Sequence, residues 1–331
     1  MPHVYVSDPI HPDVLDDLHR MGRVSCGYGE NAVTFADVAA NIDAVLLRAE
    51  TFDAAKITAA PQMRIIARHG AGTDNVDIAT ATSAGIWVTT TPGANSSAVA
   101  EHVFALTLTL ARRTSTAATG TANGQWSTLK PTLTGFELGG RVMGLVGFGR
   151  IARHVARIAK AFGMTIIAAD PHVDTAAIEA DGVSAVALPE LFAQADVISL
   201  HAPLTQDTKH LINRDVLATI RYGAIVVNTS RGELIDEQAL VEALDAGRLR
   251  GAAIDVVEGE SVDMRDPLQH SYLSGHLARP DLIVTPHVAG QTDEALLAAG
   301  TGALTCIRQV LAGQTPENAV NDVPAPRTIA G

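Results

Sequence analysis

A glycine-rich turn between an apolar run and a helical pattern constrains the fold of this chain more than any other feature. The turn, GLVGFGRIA, spans residues 144–152, and the helical pattern follows over 151–162. Gly147 permits a tight turn, Gly149 lets a phosphate approach the backbone because it has no Cβ, and Ala152 is small enough for close helix–strand packing. Free amides and the helix dipole at such an N-terminus can hold a diphosphate. The pattern predicts a βαβ unit that binds a dinucleotide.

An acidic residue, Asp170, ends the next predicted strand, 18 residues after Ala152. Its carboxylate can accept hydrogen bonds from both hydroxyl groups of a ribose, and its charge would repel a 2′-phosphate. We therefore expect NAD rather than NADP. The alternative is a glycine-rich turn in an unrelated α/β protein, which the full strand–turn–helix–strand context disfavours.

Short apolar runs alternate with helical patterns along the whole chain, which is typical of parallel α/β architecture. The 331 residues are enough for two domains. The pattern predicts strands over 4–6, 44–47, 64–67, 87–89, 141–146, 165–169, 197–200, 224–228, 252–254 and 282–284. It predicts helices over 13–21, 53–60, 96–113, 151–162, 236–246 and 292–311. The last helix could return to the first domain, which periodicity alone does not decide.

Composition excludes several classes of protein. Hydrophobic residues make up 47% and charged residues 18%, which does not fit a disordered chain. The net charge of −12 gives no general attraction to nucleic acid or anionic lipid. Cys26 and Cys306 fit neither a disulfide framework nor a zinc motif, and we expect no metal. No signal peptide or membrane span is visible, so we expect a cytoplasmic protein without nucleic-acid or membrane partners.

An arginine follows a predicted strand in the sequence NTSRG, residues 228–232. Ligands of doubly wound sheets bind beyond the carboxyl ends of strands. At that place Arg231 can hold a carboxylate through two parallel hydrogen bonds. A surface arginine that caps a helix or pairs with Glu233 fits the position equally well.

A histidine occupies the same kind of position in the sequence TPH, residues 285–287. His287 can pass a proton near neutral pH, although with 12 histidines in the chain a structural role is the more common alternative. Asp255, Glu258 and Glu260 follow the preceding predicted strand. A carboxylate beside a histidine orients its ring and favours its charged form, but alone these acids are typical of a solvated loop.

A second glycine-rich loop, RHGAGTDN, spans residues 68–75 between a predicted strand and a predicted helix. Its backbone amides could form an anion-binding nest. An ordinary turn with an Asp or Asn cap is the favoured alternative when the loop is taken alone.

Taken together, in this order and spacing, these residues resemble the D-isomer-specific 2-hydroxyacid dehydrogenase family, most of all its 3-phosphoglycerate dehydrogenase and hydroxypyruvate/glyoxylate reductase branches. The resemblance covers nearly the whole chain. It is carried by Gly147, Gly149, Asp170, 201–205 (HAPLT), 228–232 (NTSRG), Asp255, Val256 and 285–287 (TPH). It implies an α/β fold of two Rossmann-like doubly wound domains, with a cofactor domain, 99–286, inserted into a substrate domain formed by 1–98 and 287–331.

The resemblance implies an NAD-dependent dehydrogenase that interconverts a small D-2-hydroxy acid and its 2-oxo acid by hydride transfer. Arg231 would bind the substrate carboxylate, His287 would be the acid/base, and Glu260 would pair with His287. Glu260 rather than Glu258 has the family's spacing, 29 residues after Arg231, although Ser261 stands where the family often has proline. The substrate would be either 3-phosphoglycerate or glyoxylate/hydroxypyruvate.

The resemblance implies substrate contacts at Arg48, His69, Gly70, Ala71 and Gly72. The amides of the glycine-rich loop would meet the substrate carboxylate, and His69 stands where a small residue is common. Arg48 matches a position that can contact a substrate phosphate, but Glu50 would oppose a doubly charged group. Arg48 as a plain surface residue is the alternative.

The resemblance implies cofactor contacts at Gly147, Gly149, Arg150, Ile151, Asp170, Ala202, Pro203, Thr229, Ser230, Asp255 and Gly290. Ala202 and Pro203 would lie near the adenine and Asp255 at the carboxamide.

Members of the family usually form homodimers through the cofactor domain, and residues 123–126 (NGQW) resemble part of the dimer arm. Trp126 as a buried core residue is the alternative. We expect neither the extra regulatory domain of the longer phosphoglycerate dehydrogenases nor serine feedback through it. The alternative function is an NAD-sensing, corepressor-like binding protein without significant turnover, which the lack of a nuclear-type basic run disfavours.

Overall fold

The computed structural model describes residues 1–260, 262, 264 and 266–327. Contacts divide the chain into two compact units, one formed by Met1–Asn95 and Gly290–Gly331 and the other by Ser96–Ala289. Along the sequence, the second unit is therefore inserted into the first. Within the described residues, none of the helices combines the length and the hydropathy that a membrane span requires.

Twelve strands and thirteen α-helices form in the described residues. The strands are β1 (His3–Val6), β2 (Arg23–Cys26), β3 (Ala44–Leu47), β4 (Ile65–Arg68), β5 (Trp87–Thr89), β6 (Val142–Val146), β7 (Thr165–Ala169), β8 (Ser184–Ala185), β9 (Val197–Leu200), β10 (Ala224–Asn228), β11 (Leu249–Ile254) and β12 (Leu282–Val284). The helices are α1 (Pro12–Met21), α2 (Phe35–Val38), α3 (Ala54–Ala59), α4 (Ile78–Ser83), α5 (Ser96–Arg112), α6 (Thr114–Ala122), α7 (Trp126–Leu129), α8 (Arg150–Ala161), α9 (Thr175–Ala180), α10 (Leu188–Gln194), α11 (Arg214–Thr219), α12 (Glu237–Asp245) and α13 (Asp293–Leu311).

The first unit is built on a five-stranded parallel sheet in the order β2-β1-β3-β4-β5. Every residue of β1 and β3 is buried, as in parallel sheets that carry helices on both faces. Helix α13 packs against α1 and β4, so it returns to this unit. The sequence pattern missed β2, because Arg23 and Ser25 interrupt its apolar run and this edge strand is only partly buried.

The second unit is built on a seven-stranded parallel sheet in the order β12-β11-β10-β9-β6-β7-β8. The chain runs outward from β6 through β7 and β8, and then starts again on the other side with β9. The order reverses between β6 and β9, and such sheets bind ligands beyond the carboxyl ends of the strands at this point. The sequence pattern missed β8 because two residues cannot show a period.

The packing of α8 shows how small residues build this core. The buried residues of α8 are Ala152, Val155, Ala156 and Ala159, which lie on one face at spacings of three and four. Their small side chains bring the helix close to the sheet, which suits a chain with only 4% aromatic residues. The two parallel-sheet units confirm the predicted α/β fold class.

The division between the units differs slightly from the boundaries expected from the sequence. Contacts place the first crossing after Asn95 rather than 98, and the second after Ala289 rather than 286. Helix α5 begins at Ser96 and packs against α8 and β10, which assigns its first turn to the second unit. At the second crossing, backbone amides of residues 287–289 donate to Asp255, which holds this segment to the second unit.

Candidate active site

The glycine-rich turn after β6 has the geometry that the sequence predicts. Gly147 has φ +89°, and a Cβ there would stand 2.9 Å from the carbonyl carbon of His201. The residue must therefore be glycine, both for its conformation and because the loop after β9 lies against it. Gly149 is the N-cap of α8, and no side chain caps that helix. A Cβ on Gly149 would meet no atom within 4 Å, so open space lies above the helix N-terminus.

Asp170 follows β7 and is tied to the turn. One carboxylate oxygen accepts a 2.8 Å hydrogen bond from the amide of Phe148, and the other accepts a 2.8 Å bond from the amide of His172. Each carboxylate oxygen has a second lone pair, so both can still accept from a ribose hydroxyl. The same carboxylate therefore supports the turn and keeps acceptor capacity at the carboxyl edge of the sheet.

The segment after β10 presents a polar atom that lacks a partner. The hydroxyl of Thr229 is buried and makes no hydrogen bond within the described part of the chain. The neighbouring Ser230 amide donates to the side chain of Asn228, which is fully buried and in turn donates to the carbonyl of Arg231. A buried hydroxyl without a partner is costly, and a bound ligand would supply the missing hydrogen bond.

These features fit a dinucleotide at the carboxyl edge of the sheet in the second unit. The uncapped helix N-terminus and the space above Gly149 suit a diphosphate, and Thr229 offers an unused donor and acceptor. The expected adenine-side residues Ala202 and Pro203 follow β9 at the same edge, where Ala202 is half-buried and Pro203 is exposed. Gly290 opens the second segment of the first unit, where a Cβ would approach Asn95 to 2.7 Å.

Asp255 is an internal anchor of the segment that carries His287. Its side chain is buried and accepts hydrogen bonds from the hydroxyl of Thr285 (2.6 Å) and from the amides of Val288 (3.0 Å) and Ala289 (2.8 Å). Nε2 of His102 lies 3.5 Å from the same carboxylate. Burial by itself raises the pKa of Asp255, but these donors outweigh it and hold the pKa below its ordinary value.

His287 and Glu260 form a direct pair. Nδ1 of His287 lies 2.8 Å from Oε2 of Glu260, and the other oxygen of Glu260 accepts a 3.1 Å bond from the amide of Val257. The carboxylate can only accept, so Nδ1 carries the proton and Nε2 is left to exchange one. The His287 side chain is 44% exposed, whereas that of Glu260 is only 12% exposed.

The backbone of His287 is strained. Its φ is +52°, a left-handed conformation that costs a residue with a side chain about 1 kcal/mol. The amide of His287 donates to the carbonyl of Asp255 (2.8 Å), which holds this conformation. Such strain is concentrated at functional sites, where the surrounding structure maintains it.

Arg231 follows β10 on the same edge of the sheet as His287. Its guanidinium donates to the carbonyl of Ser230 at 2.7 Å, and its own carbonyl accepts from Asn228 at 2.8 Å. The structure therefore brings Arg231, Glu260 and His287 to the carboxyl ends of β10, β11 and β12, which are neighbours in the sheet.

The residues expected around the substrate in the first unit lie at the carboxyl ends of β3 and β4. The amide of Gly70, a residue with φ +144°, already donates to the hydroxyl of Thr91 at 2.8 Å. The amides of Ala71 and Gly72 make no hydrogen bond within the described residues. Of the three amides in the expected nest, these two can therefore serve an anion.

Arg48 is the cationic side chain at this edge, and its charge acts on the neighbouring His69. His69 is buried, and its Nε2 lies 3.1 Å from the carbonyl of Leu296. Burial and then the charge of Arg48 lower the pKa of His69 below its ordinary value, so the ring is neutral at pH 7. Burial also lowers the pKa of Arg48, whose Nη1 donates to the carbonyl of Pro9 at 3.0 Å.

Glu50, which the sequence suggests would oppose a doubly charged substrate group, is paired within the first unit. Its carboxylate accepts from Nζ of Lys56 at 2.6 Å and from the hydroxyl of Tyr5 at 3.0 Å. Lys56 therefore balances the charge of Glu50.

Sequence reasoning missed three side chains that shape this region. His102 contacts Asp255 and Thr285, and Nε2 of His210 lies 2.5 Å from Oε1 of Glu258. Glu237 is a buried carboxylate at the start of α12. No spacing rule could have found them, because each reads as an ordinary helix or loop residue until the strands are placed side by side.

The comparisons with known proteins agree with this geometry. Residues 104–289 match the model of the D-isomer specific 2-hydroxyacid dehydrogenase, NAD binding domain. The chain therefore belongs to the D-isomer-specific 2-hydroxyacid dehydrogenase family, as the sequence motifs predicted. The family's domain at 104–289 binds NAD, which confirms the expected cofactor.

Individual relatives show how far the likeness extends. The chain is 38% identical to D-3-phosphoglycerate dehydrogenase of Methanocaldococcus jannaschii over 327 residues, which is 97% of this chain and 60% of that protein. It is 41% identical to hydroxypyruvate reductase of Thermotoga maritima over 261 residues, 78% of this chain and 81% of the relative. The structure of D-lactate dehydrogenase from Escherichia coli matches with a TM-score of 0.82 and 32% identity, covering 96% of this chain and all of that one. The chain spans 56% to 60% of the length of three phosphoglycerate dehydrogenases that it matches.

Proposed function

We propose that this protein is an NAD-dependent dehydrogenase that interconverts a small D-2-hydroxy acid and its 2-oxo acid. The observation that carries the proposal is the 2.8 Å pair between Nδ1 of His287 and Oε2 of Glu260, beside Arg231 at the end of the neighbouring strand. The names of the relatives support it, since they include D-3-phosphoglycerate dehydrogenase and hydroxypyruvate reductase.

In the reducing direction His287 supplies the proton. Glu260 accepts from Nδ1 and orients the ring, so that Nε2 donates to the carbonyl oxygen of the 2-oxo acid as this oxygen becomes an alkoxide. In the oxidising direction the same nitrogen accepts the proton of the hydroxyl. NAD(H), when bound at the turn after β6, would supply or take up the hydride at C2 of the substrate.

Arg231 holds the carboxylate of the substrate. A guanidinium can form two parallel hydrogen bonds with a carboxylate, and its charge also stabilises the negative oxygen that develops next to that carboxylate. The free amides of Ala71 and Gly72 are proposed as further donors to the substrate, with His69 and Arg48 as neighbours of its side chain.

The test is the variant His287→Ala. We expect NADH to bind with unchanged affinity, measured by its fluorescence, and turnover of a 2-oxo acid to fall by about a thousandfold or more. His19→Ala is the matched control, because His19 is an exposed histidine of α1. Near-normal turnover by His287→Ala would refute the assignment. Tight NADH binding without turnover of any acid by the unaltered protein would instead support the corepressor-like alternative.

The substrate is proposed to be 3-phosphoglycerate or the glyoxylate/hydroxypyruvate pair. NADH oxidation with glyoxylate, hydroxypyruvate, 3-phosphohydroxypyruvate and pyruvate distinguishes them, with NADPH as the cofactor control. Strong preference for the phosphorylated acid would place Arg48 at the substrate phosphate. Preference for glyoxylate or hydroxypyruvate would leave Arg48 as a structural residue that holds Pro9.

A homodimer formed through the second unit is part of the same proposal. Trp126 begins α7 and is 68% exposed, so it is not the buried core residue that sequence reasoning kept as an alternative. Light scattering should give twice the mass of the chain. Trp126→Ala should weaken the dimer, whereas Tyr222→Ala, which also removes an exposed aromatic side chain, should not.

A further inference from the structure

Glu237 places a carboxylate inside the second unit. The residue is 2% exposed and is the first residue of α12. One oxygen accepts a 2.8 Å bond from the amide of Glu258. The other accepts from the hydroxyl of Ser271 at 2.7 Å and from the amide of Tyr272 at 2.8 Å. Three donors therefore converge on one buried carboxylate.

This arrangement is expensive in free energy. No cation pairs with Glu237 in the described part of the chain, and burial raises the pKa of its carboxyl above the ordinary value. A buried carboxylate is usually paired with a cation, because the loss of its hydration is otherwise offset by hydrogen bonds alone. An apolar side chain would fill the same space at a lower cost in free energy. What the carboxylate adds is that it fixes the positions of its three donors.

The bond to Glu258 acts on the segment that carries the acid/base pair. Glu258 lies two residues before Glu260, whose own carboxylate is bonded to the amide of Val257 (3.1 Å) and to Nδ1 of His287 (2.8 Å). A displacement of the Glu258 amide therefore displaces the residue that orients His287.

The same segment is restrained from a second direction. A Cβ on Gly232 would lie 2.0 Å from the carbonyl carbon of Val257 and 2.4 Å from the amide nitrogen of Glu258. The contact with Gly232 limits how closely the segment approaches β10, and the bond to Glu237 limits how far it moves away. The side chain of Glu258 is held separately by His210, at 2.5 Å.

We infer that Glu237 is a positioning residue of the active site: its buried carboxylate holds the backbone at Glu258 and thereby sets the distance between Glu260 and His287. The inference rests on the proposed function, because it assigns Glu237 a role through the acid/base pair. Among the described residues Glu237 makes no hydrogen bond with His287 or Glu260, so we do not assign it as a catalytic residue.

The test is a double-mutant cycle between Glu237→Gln and Glu260→Gln, with kcat and the Kd of NADH measured for each variant. The side-chain amide introduced by Glu237→Gln has only one acceptor oxygen, which should keep its bonds with Ser271 and Tyr272. Its NH2 group then faces the backbone N–H of Glu258, and because both groups are donors the bond to Glu258 is lost. We expect Glu237→Gln to lower kcat about tenfold and to leave the Kd of NADH unchanged. In the Glu260→Gln background, the same change should lower kcat by less than about twofold, because the residue it positions is already disabled.

Ser271→Ala is the matched control, because it removes a donor from the other oxygen of Glu237 and leaves the bond to Glu258 intact. We expect it to reduce stability and to change kcat by less than about twofold. If Glu237→Gln does not fold, Glu237→Leu takes its place in the cycle, because it removes all acceptor atoms at similar volume.

The outcomes separate the inference from the proposed function. No turnover of any 2-oxo acid by the unaltered protein would refute the proposed function itself. Unchanged kcat in His287→Ala and Glu260→Gln would refute the acid/base pair on which the inference rests. A loss in those two variants with unchanged kcat in Glu237→Gln would overturn only the inference. A loss in Glu237→Gln that adds in full to that of Glu260→Gln would show a general structural role and would also overturn it.

Discussion

Gly232 lies against the backbone of Val257: a Cβ on Gly232 would stand 2.0 Å from the Val257 carbonyl carbon and 2.2 Å from its oxygen. The neighbour of Arg231 and the segment that carries Glu260 are therefore in direct backbone contact. Because no side chain fits between them, the spacing between Arg231, the proposed carboxylate-binding residue, and the proposed acid/base pair depends on a glycine.

The variant Gly232→Ala tests this contact. The methyl group must push the segment at Val257 away, so we expect kcat to fall at least tenfold and the free energy of unfolding to fall by about 1–3 kcal/mol. Enzyme assays and urea denaturation measure the two effects. Gly275→Ala is the control, since a Cβ at Gly275 meets no atom within 4 Å. Wild-type kinetics in Gly232→Ala would contradict the contact.

The variant Asp170→Ala tests the preference for NAD. Removal of the carboxylate takes away a ribose acceptor, the repulsion of a 2′-phosphate and the partner of the Phe148 amide. We expect kcat/KM with NADH to fall at least tenfold and the ratio of NADPH to NADH activity to rise. Asp207→Ala, at an exposed loop position, should leave the ratio unchanged. An unchanged ratio in Asp170→Ala would mean that another residue selects the cofactor.

The variant Asp255→Asn tests the anchor beneath His287. Its single amide oxygen cannot accept from Thr285, Val288 and Ala289 as the carboxylate does, so buried donors lose their partner. We expect a loss of about 2–3 kcal/mol in the free energy of unfolding and a lower kcat, because residues on both sides of the strained His287 lose bonds to the side chain of Asp255. Denaturation and steady-state kinetics report the two effects. Full stability in the variant would show that the donors find water instead.

Stability should depend on pH through His201. Burial lowers the pKa of His201 from 6.5 to about 4, and its ring bonds to the hydroxyl of Ser199 at 2.9 Å. Between these pH values the unfolded chain binds a proton that the folded chain does not, so stability falls as the pH drops, by up to about 1.4 kcal/mol per pH unit. In His201→Gln the free energy of unfolding should fall less steeply as the pH drops, by the contribution of up to one bound proton. The control His19→Gln should keep the pH dependence of the unaltered protein. Urea denaturation between pH 7 and pH 4 measures the free energy of unfolding of the unaltered protein and of the two variants. The same pH dependence in all three would contradict the prediction.

The role of Arg48 is tested by Arg48→Ala. If the substrate carries a phosphate, the variant should raise KM for 3-phosphohydroxypyruvate at least tenfold and leave KM for hydroxypyruvate within about twofold. Arg20→Ala, which removes an exposed arginine of α1, is the control. Equal changes in KM for both acids would assign Arg48 to the structure of the first unit, through its bond to Pro9.

Much of the fold could be predicted because parallel strands with two covered faces are continuous apolar runs. The expected strands over 44–47, 165–169, 197–200, 224–228 and 282–284 coincide with β3, β7, β9, β10 and β12. The predictions failed at β2 and β8, which are edge strands with few buried residues and therefore carry little hydrophobic signal. The glycine-rich turn was predictable for a different reason, since its conformation and close contacts admit only small residues.

The sequence by itself determined the class of fold, the dinucleotide turn and the order of the strand-end motifs, because these depend on local periodicity, on glycine and on spacing along the chain. Only the tertiary structure decided how the carboxylates divide their roles. Glu260 faces His287, Glu258 faces His210, Asp255 is enclosed by backbone donors, and Glu237 is buried beneath the segment. Spacing along the chain cannot assign these roles, because the partner of each carboxylate lies in a strand or loop that is distant in the sequence. The register of the sheet brings the two together.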